Sequence, residues 1–271
     1  MSRSYLFVPG NRPERFDKAC AAGADTVIVD LEDAVPPDEK TSAREAVARW
    51  LSPARAVLIR INSADSEWFR ADVELCRMPG VAGIVLPKAE QVDDLGFIAA
   101  RTAASSMIFP LIESAQGFWN ALALARAERV QRLLFGSIDF QVDLGINGEN
   151  DELLYFRSQL VLVSRLAGIG APVDGVTTAI DDVAQLRADT LRGKDIGFGG
   201  KLCIHPRQVD PVNQCFSPSP AQIEWAQRIL AAAALANGAA VAVDGKMVDR
   251  PVILKAETII GMAERLKITA A

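Results

Sequence analysis

The chain has 271 residues, 50% of them hydrophobic, with 34 acidic against 29 basic side chains, a formal charge of −5 and one histidine. One histidine cannot build a two-His or three-His zinc site, and the four cysteines, Cys20, Cys76, Cys203 and Cys215, form no CxxC pair. The mildly acidic balance exerts no general pull on nucleic acid or anionic membrane, so neither is expected as a partner.

Scattered cysteines in a chain with no apparent leader read as reduced thiols of a cytoplasmic protein. No apolar run approaches the roughly 18 to 20 residues needed to span a bilayer.

In chain order, eight short apolar runs alternate with stretches of helical spacing: 5–8, 26–30, 56–61, 82–86, 107–111, 132–135, 171–174 and 201–204. Most are near-continuously apolar, as strands covered on both faces must be. Eight βα units predict an α/β fold, a closed (β/α)8 barrel over residues 1–205. Between the strands, Pro13 opens one helix and Ser66 can cap another. Ser114-Ala115-Gln116-Gly117 leads into an alanine-rich run to Arg129, and 151–168 carries the strongest helical pattern.

About 65 residues follow the eighth strand, more than a barrel's closing helix needs. They hold a capped helix at 221–237, an apolar run at 241–243, then Asp244-Gly245 and a last helix after Arg250-Pro251. Residues 206–271 are read as a C-terminal helical extension with its own purpose.

Several signatures fail. Gly199-Gly200-Lys201-Leu202 lacks the first glycine and the hydroxyl of a phosphate loop, and no G-x-G-x-x-G follows the first strand. Residues 143–151 resemble a calcium loop only superficially, since Gly145 and Leu154 stand where carboxylates belong. No serine sits in a G-x-S-x-G elbow.

In a barrel of this kind chemistry sits at the C-terminal ends of the strands. Those ends carry Asp30-Leu31-Glu32-Asp33, Arg60-Ile61-Asn62, Lys88 and Glu90, Glu113-Ser114, Asp139 and His205. Charged groups so placed must be paired, metal-bound or substrate-bound, because isolated burial costs several kcal/mol each. Glu113 and Asp139 end neighbouring strands and can converge on a magnesium ion, which is held by one or two carboxylates plus oxygens of water and substrate; a salt bridge to Arg60 or Lys88 is the alternative. Arg60 offers a planar fork for a carboxylate or thioester oxygen, or else forms an ion pair with Glu32 or Asp30. His205, just before Pro206, is read as structural.

At these residues the sequence resembles the citrate lyase β-subunit-like family of the HpcH/HpaI aldolase superfamily, which includes free-standing malyl-CoA and citramalyl-CoA lyases. The resemblance runs through Tyr5-Leu6-Phe7-Val8-Pro9-Gly10-Asn11, Asp30-Leu31-Glu32-Asp33, Arg60-Ile61-Asn62, Leu86-Pro87-Lys88-Ala89-Glu90 and Pro110-Leu111-Ile112-Glu113-Ser114. It continues through Phe135-Gly136-Ser137-Ile138-Asp139, Gly199-Gly200-Lys201-Leu202-Cys203-Ile204-His205-Pro206 and Gly245-Lys246-Met247-Val248-Asp249.

The resemblance implies a (β/α)8 barrel, Mg2+ on Glu113 and Asp139, and Arg60 and Glu113 at the substrate. It also implies a phosphate or pantetheine end of CoA near Lys18 and Arg15. Asp249 would act as an acid/base delivered to a neighbouring subunit's barrel, which implies a homo-oligomer, a trimer or a dimer of trimers. The bland reading of Asp249 is a cap for the last helix.

The implied reaction cleaves an acyl-CoA such as citramalyl-CoA, malyl-CoA or citryl-CoA to a 2-oxo acid and acetyl-CoA. Alternatives are the β-subunit of a citrate lyase complex acting on citryl-acyl carrier protein, an added thioester hydrolysis, and a non-catalytic acyl-CoA-binding barrel. Two departures are visible: Ile138 stands where several relatives carry an acidic residue. Asp33 takes the place of the histidine found in the branch that cleaves free 2-keto acids.

Overall fold

The computed structural model describes residues 2–148, 150–235 and 241–267. These divide into two compact units, Met1–Asn213 and Gln214–Ala271.

In the first unit β1 (Ser4–Pro9), α1 (Phe16–Cys20), β2 (Thr26–Asp30), α2 (Lys40–Trp50), β3 (Val57–Arg60), α3 (Phe69–Leu75), β4 (Val81–Leu86) and α4 (Val92–Arg101) alternate strictly. They are followed by β5 (Met107–Ile112), α5 (Ala115–Trp119), α6 (Ala121–Ala125), β6 (Leu134–Phe135), α7 (Ser137–Leu144), α8 (Leu154–Ala167), β7 (Val173–Asp174), α9 (Val183–Ile196), β8 (Gly200–Cys203) and α10 (Val209–Phe216), which runs past the end of this unit at Asn213. All eight strands are parallel, and β1 pairs with both β2 and β8, which closes the predicted barrel.

The period-2 alternation of a strand decides what fills the ring. Tyr5, Ile28, Leu58, Val85, Phe109, Leu111, Leu134, Val173 and Leu202 point inward and form one buried cluster, with Phe7 and Val176 packed against it. Each such side chain contributes about 1.5 to 3 kcal/mol by leaving water. The barrel interior is therefore a solid plug, and the charged strand ends are left at its mouth.

Three local expectations are corrected. The alanine-rich segment is not one helix: it breaks at Asn120, between α5 and α6, whose side-chain amide donates to Glu90 O at 2.8 Å. Ser66 does not cap α3, which starts at Phe69 without a side-chain cap. Asp139 does not end strand six. The strand stops at Phe135, and Asp139 lies in the first turn of α7.

The second unit contains α11 (Pro220–Leu235), β9 (Val241–Val243), β10 (Lys246–Val248) and α12 (Arg250–Leu266). The strands pair antiparallel across Asp244 and Gly245, whose φ values of 50° and 73° are both left-handed, as a tight hairpin turn requires. Ala226, Ile229, Val248 and Ala256 make its core. The predicted end of the first tail helix, residues 236–237, lies outside the described residues. Among the described residues no helix is long and apolar enough to cross a membrane.

Candidate active site

A cavity of about 500 Å³ opens at the C-terminal mouth of the barrel. Its apolar lining includes Phe7, Leu111, Phe135 and Leu202, and its polar lining includes Asp30, Asp33, Arg60, Glu113, Ser137 and Asp139. Arg60, Glu113 and Asp139, picked out in the sequence on separate strand ends, thus share one space.

Arg60 is the most heavily engaged group. Its Nε and Nη2 donate to the two oxygens of Asp30 at 2.7 and 2.6 Å, and Nη1 donates to Asp33 at 3.3 Å. Nη1 also lies 2.9 Å from Glu32 Oε2, in ion-pair contact but out of line for a hydrogen bond, so that this buried oxygen accepts none. The guanidinium stacks 4.8 Å from the Phe7 ring centroid. Of five N–H groups on an arginine fork, three are committed here. Of the two readings of Arg60, the ion pair with Asp30 and Glu32 is present, and at most the outer edge of the fork is left for a ligand.

Asp30 in turn accepts from the backbone N–H of Glu32 and Ala34, and Lys40 Nζ donates to the carbonyls of Leu31 and Glu32 at 2.8 and 2.7 Å. The turn after β2 is thereby fixed from both sides. Lys40 was not legible as part of this site, because its position on α2 reads as an ordinary exposed helical lysine.

Glu113 is buried. The backbone N–H of Lys88 donates to Oε2 at 2.8 Å, and among the described residues no donor is bonded to Oε1. Lys88 presents that N–H from a left-handed backbone, φ 47°, while its Nζ reaches Glu32 Oε1 at 3.4 Å. Gly136, just before α7, is where the Glu113 side chain passes: a Cβ there would overlap Glu113 Cγ and stand 2.7 Å from Oε1.

Five carboxylates, Asp30, Glu32, Asp33, Glu113 and Asp139, thus face three cations, Arg60, Lys88 and Lys40. Burial first, then the neighbouring Glu32, push the Glu113 carboxyl up to about 8, with the Lys88 N–H and Arg60 opposing and Asp139 adding to the rise. Burial likewise raises Glu32 to about 7 against the pull of Arg60. A carboxyl with a free oxygen, held high by burial and two acidic neighbours, fits a site that lacks positive charge. Glu113 and Asp139 supply two hard oxygen donors, and among the described residues no cluster of three or more His, Cys, Asp or Glu forms a closed cage. That donor set suits magnesium, which keeps most of its sphere for water and ligand oxygens.

The other predicted residues stand elsewhere. Lys18 and Arg15 are exposed in the α1 region, outside the cavity lining. His205 is also outside it, and its Nδ1 accepts from the Arg207 N–H at 3.2 Å, a local cap. Asp249 is exposed and N-caps α12 by accepting from the Val252 N–H at 3.4 Å, with Pro251 in the first turn.

The family model for HpcH/HpaI aldolase/citrate lyase matches residues 3–206. A (3S)-malyl-CoA thioesterase of Cereibacter sphaeroides is 37% identical over 273 residues, covering 97% of this chain and 95% of that protein. A citrate lyase subunit beta-like protein of Deinococcus radiodurans is 36% identical over 278 residues, covering 95% of this chain and 96% of that protein. Among solved structures, the protein CitE of Mycobacterium tuberculosis in complex with magnesium, acetoacetate and coenzyme A superposes with a TM-score of 0.86. It is 34% identical, with 97% of this chain and 98% of that one covered.

Proposed function

The chain belongs to the HpcH/HpaI aldolase/citrate lyase family, and on that premise we propose that it is a magnesium-dependent carbon–carbon lyase. Its substrate is an acyl-CoA with a hydroxyl and a second carboxylate at C3, as in citramalyl-CoA, malyl-CoA or citryl-CoA, and its products are a 2-oxo acid and acetyl-CoA. The observation that carries this reading is the pairing of Glu113 and Asp139 in a cavity with a surplus of negative charge. The magnesium, acetoacetate and coenzyme A bound by the CitE neighbour support it.

Glu113 and Asp139 would hold the ion, which when bound supplies Lewis-acid stabilisation of the oxygen at the cleaved carbon. The remaining N–H groups of Arg60 point their charge at a carboxylate or thioester oxygen, offsetting the charge that develops on the enolate. Phe7, Leu111 and Leu202 keep the cavity floor dry, which strengthens both effects. Cleavage breaks the bond between the hydroxyl-bearing carbon and the CH2 next to the thioester. The hydroxyl loses its proton, the electron pair passes to the thioester enolate, and a proton must then reach that carbon.

Among the described residues the cavity lining contains no Lys, His, Cys or Tyr. Its carboxylates are paired with Arg60 or reserved for the ion. On the family resemblance, the proton comes from Asp249 of a neighbouring copy, in a homo-oligomer, a trimer or a dimer of trimers. The extension 206–271 serves to deliver it. Lys18 takes a phosphate of CoA.

Thioester hydrolysis is a second reading, favoured by the named activity of the Cereibacter sphaeroides relative. Incubating the purified chain with the three CoA thioesters separates the readings. Lyase action releases a 2-oxo acid with acetyl-CoA, hydrolysis releases free CoA, and activity confined to a citryl-acyl carrier protein marks a complex subunit. Cleavage that persists in full after chelation of metal would overturn the proposal, and no turnover of any thioester would leave only ligand binding.

A further inference from the structure

Glu113 and Asp139 sit on different elements, and their separation has to be held by something. One attachment is the strand ladder itself: Gly136 N–H donates to Ile112 O at 2.9 Å, which places the start of α7 beside Glu113. A second lies at the far end of the same helix. Asp143 Oδ2 accepts the backbone N–H of Ala115 at 2.7 Å, and Ala115 is the first residue of α5, two beyond Glu113. Asp139 and Asp143 are four residues apart and lie on one face of α7, one turn from each other.

The helix is thus tied to the Glu113 strand at residues 136 and 143, roughly 10 Å apart along its axis, with Asp139 between the ties. Phe140, fully buried against Phe135 and Phe156 at ring separations of 5.3 and 4.8 Å, holds the inner side of α7. Ring packing is weakly directional and permits a tilt about residue 136. The hydrogen bond at residue 143, made at the surface to a backbone N–H, adds a directional constraint that the rings do not supply.

We propose that Asp143 is a positioning residue: by gripping the Ala115 N–H it sets the distance between Glu113 and Asp139, and with it the affinity of that pair for a divalent cation. The inference rests on the reading that these two carboxylates hold the ion. Because Phe140 still anchors α7, loss of the tie should loosen the site without unfolding the barrel.

The bond can be cut from either side. Asp143→Ala removes the acceptor. Ala115→Pro removes the donor, at a first helical position where proline is tolerated and after Ser114, whose extended φ of −139° and ψ of 162° suit a following proline. Asp143→Asn keeps an acceptor and deletes the charge.

Magnesium chloride is titrated calorimetrically into each purified full-length chain, with metal-free thermal melts to verify folding. Supporting tissue around a metal site typically contributes 10- to 100-fold in affinity, so Asp143→Ala and Ala115→Pro should each weaken magnesium about tenfold. The double variant should lose no more than either, and Asp143→Asn should stay within about threefold of the parent. Loss with Asp143→Asn but not with Ala115→Pro would mean that Asp143 acts by charge alone and would overturn the proposal, as would unchanged affinity in both severed variants. Should the proline variant not fold, the contrast between Asp143→Ala and Asp143→Asn decides the same question. Absence of magnesium binding by the parent chain would instead sink the underlying reading of Glu113 and Asp139.

Discussion

Arg60 and Asp30 form a two-point ion pair across the ends of neighbouring strands, 2.7 Å from Nε and 2.6 Å from Nη2, and Arg60 is the common counterion of Asp30, Glu32 and Asp33. Replacing it with methionine leaves three carboxylates together with only the ammonium groups of Lys88 and Lys40 nearby, neither of them paired with Asp30. Removing one partner of a buried pair costs about 3 to 5 kcal/mol. Arg60→Met should therefore lower stability by that order in urea unfolding, and Asp30→Asn in the same chain should restore part of it. A stable, merely inactive Arg60→Met would show that the ion pair is not structural.

The Glu113 carboxyl titrates at about 8 in the folded chain against an ordinary value near 4.5. Its contribution to stability is full below about pH 4.5 and is lost as pH rises toward 8, because in that range the unfolded chain has released its proton while the folded chain still holds it. In chelator, the melting temperature of the parent chain should fall more steeply between pH 5 and 8 than that of Glu113→Gln. Magnesium should remove most of that difference at pH 8. Parallel pH profiles for the two proteins would contradict the burial argument.

Gly136→Ala tests how closely Glu113 lies over the turn into α7. The added methyl would collide with the Glu113 side chain from Cγ outward. Overpacking of this kind costs about 1 to 3 kcal/mol, and the side that yields is the carboxylate arm. Magnesium affinity measured by calorimetry should drop at least tenfold, with folding retained in circular dichroism.

The proton delivery proposed for Asp249 is separable from its helix cap. As a helix cap, its loss costs about 0.5 to 2 kcal/mol; asparagine caps nearly as well as aspartate. Asp249→Asn should thus preserve stability and magnesium affinity while kcat for thioester cleavage falls by two orders of magnitude or more, the scale of a lost general acid. Mixing that variant with Arg60→Lys should recover activity, since each then supplies what the other lacks across the subunit boundary. Unchanged turnover in Asp249→Asn would confine the residue to capping.

Much of the architecture was present in the linear pattern. Eight apolar runs separated by helical spacing predict parallel βα units, because a strand covered on both faces has little place for polar residues except at its ends; closure of the ring is shown by the pairing of β1 with β8. The same logic marks Arg60 and Glu113: a charge at the end of an apolar run has only the barrel mouth to go to.

Asp139 reaches the expected space from a helix and not from a strand end. The Phe135-Gly136 step ends the strand early, and the side chain arrives from the first turn of a helix. The roles of Lys40 and Asp143, the latter visible in the sequence only as the start of a failed calcium loop, are not legible because their contacts join segments distant in the chain. Nothing in their local spacing distinguishes a lysine that caps two buried carbonyls, or an aspartate that holds a neighbouring helix, from solvated surface charge.

By itself, then, the sequence determined the strand count, the apolar plug and the acidic character of the mouth, all of which follow from one-dimensional periodicity and composition. Only the tertiary structure decided that the Arg60 fork is largely occupied, that Glu113 keeps one oxygen free, and that α7 is tied at both ends. Those outcomes depend on distances between atoms of different elements, and such distances exist only once the ring has closed.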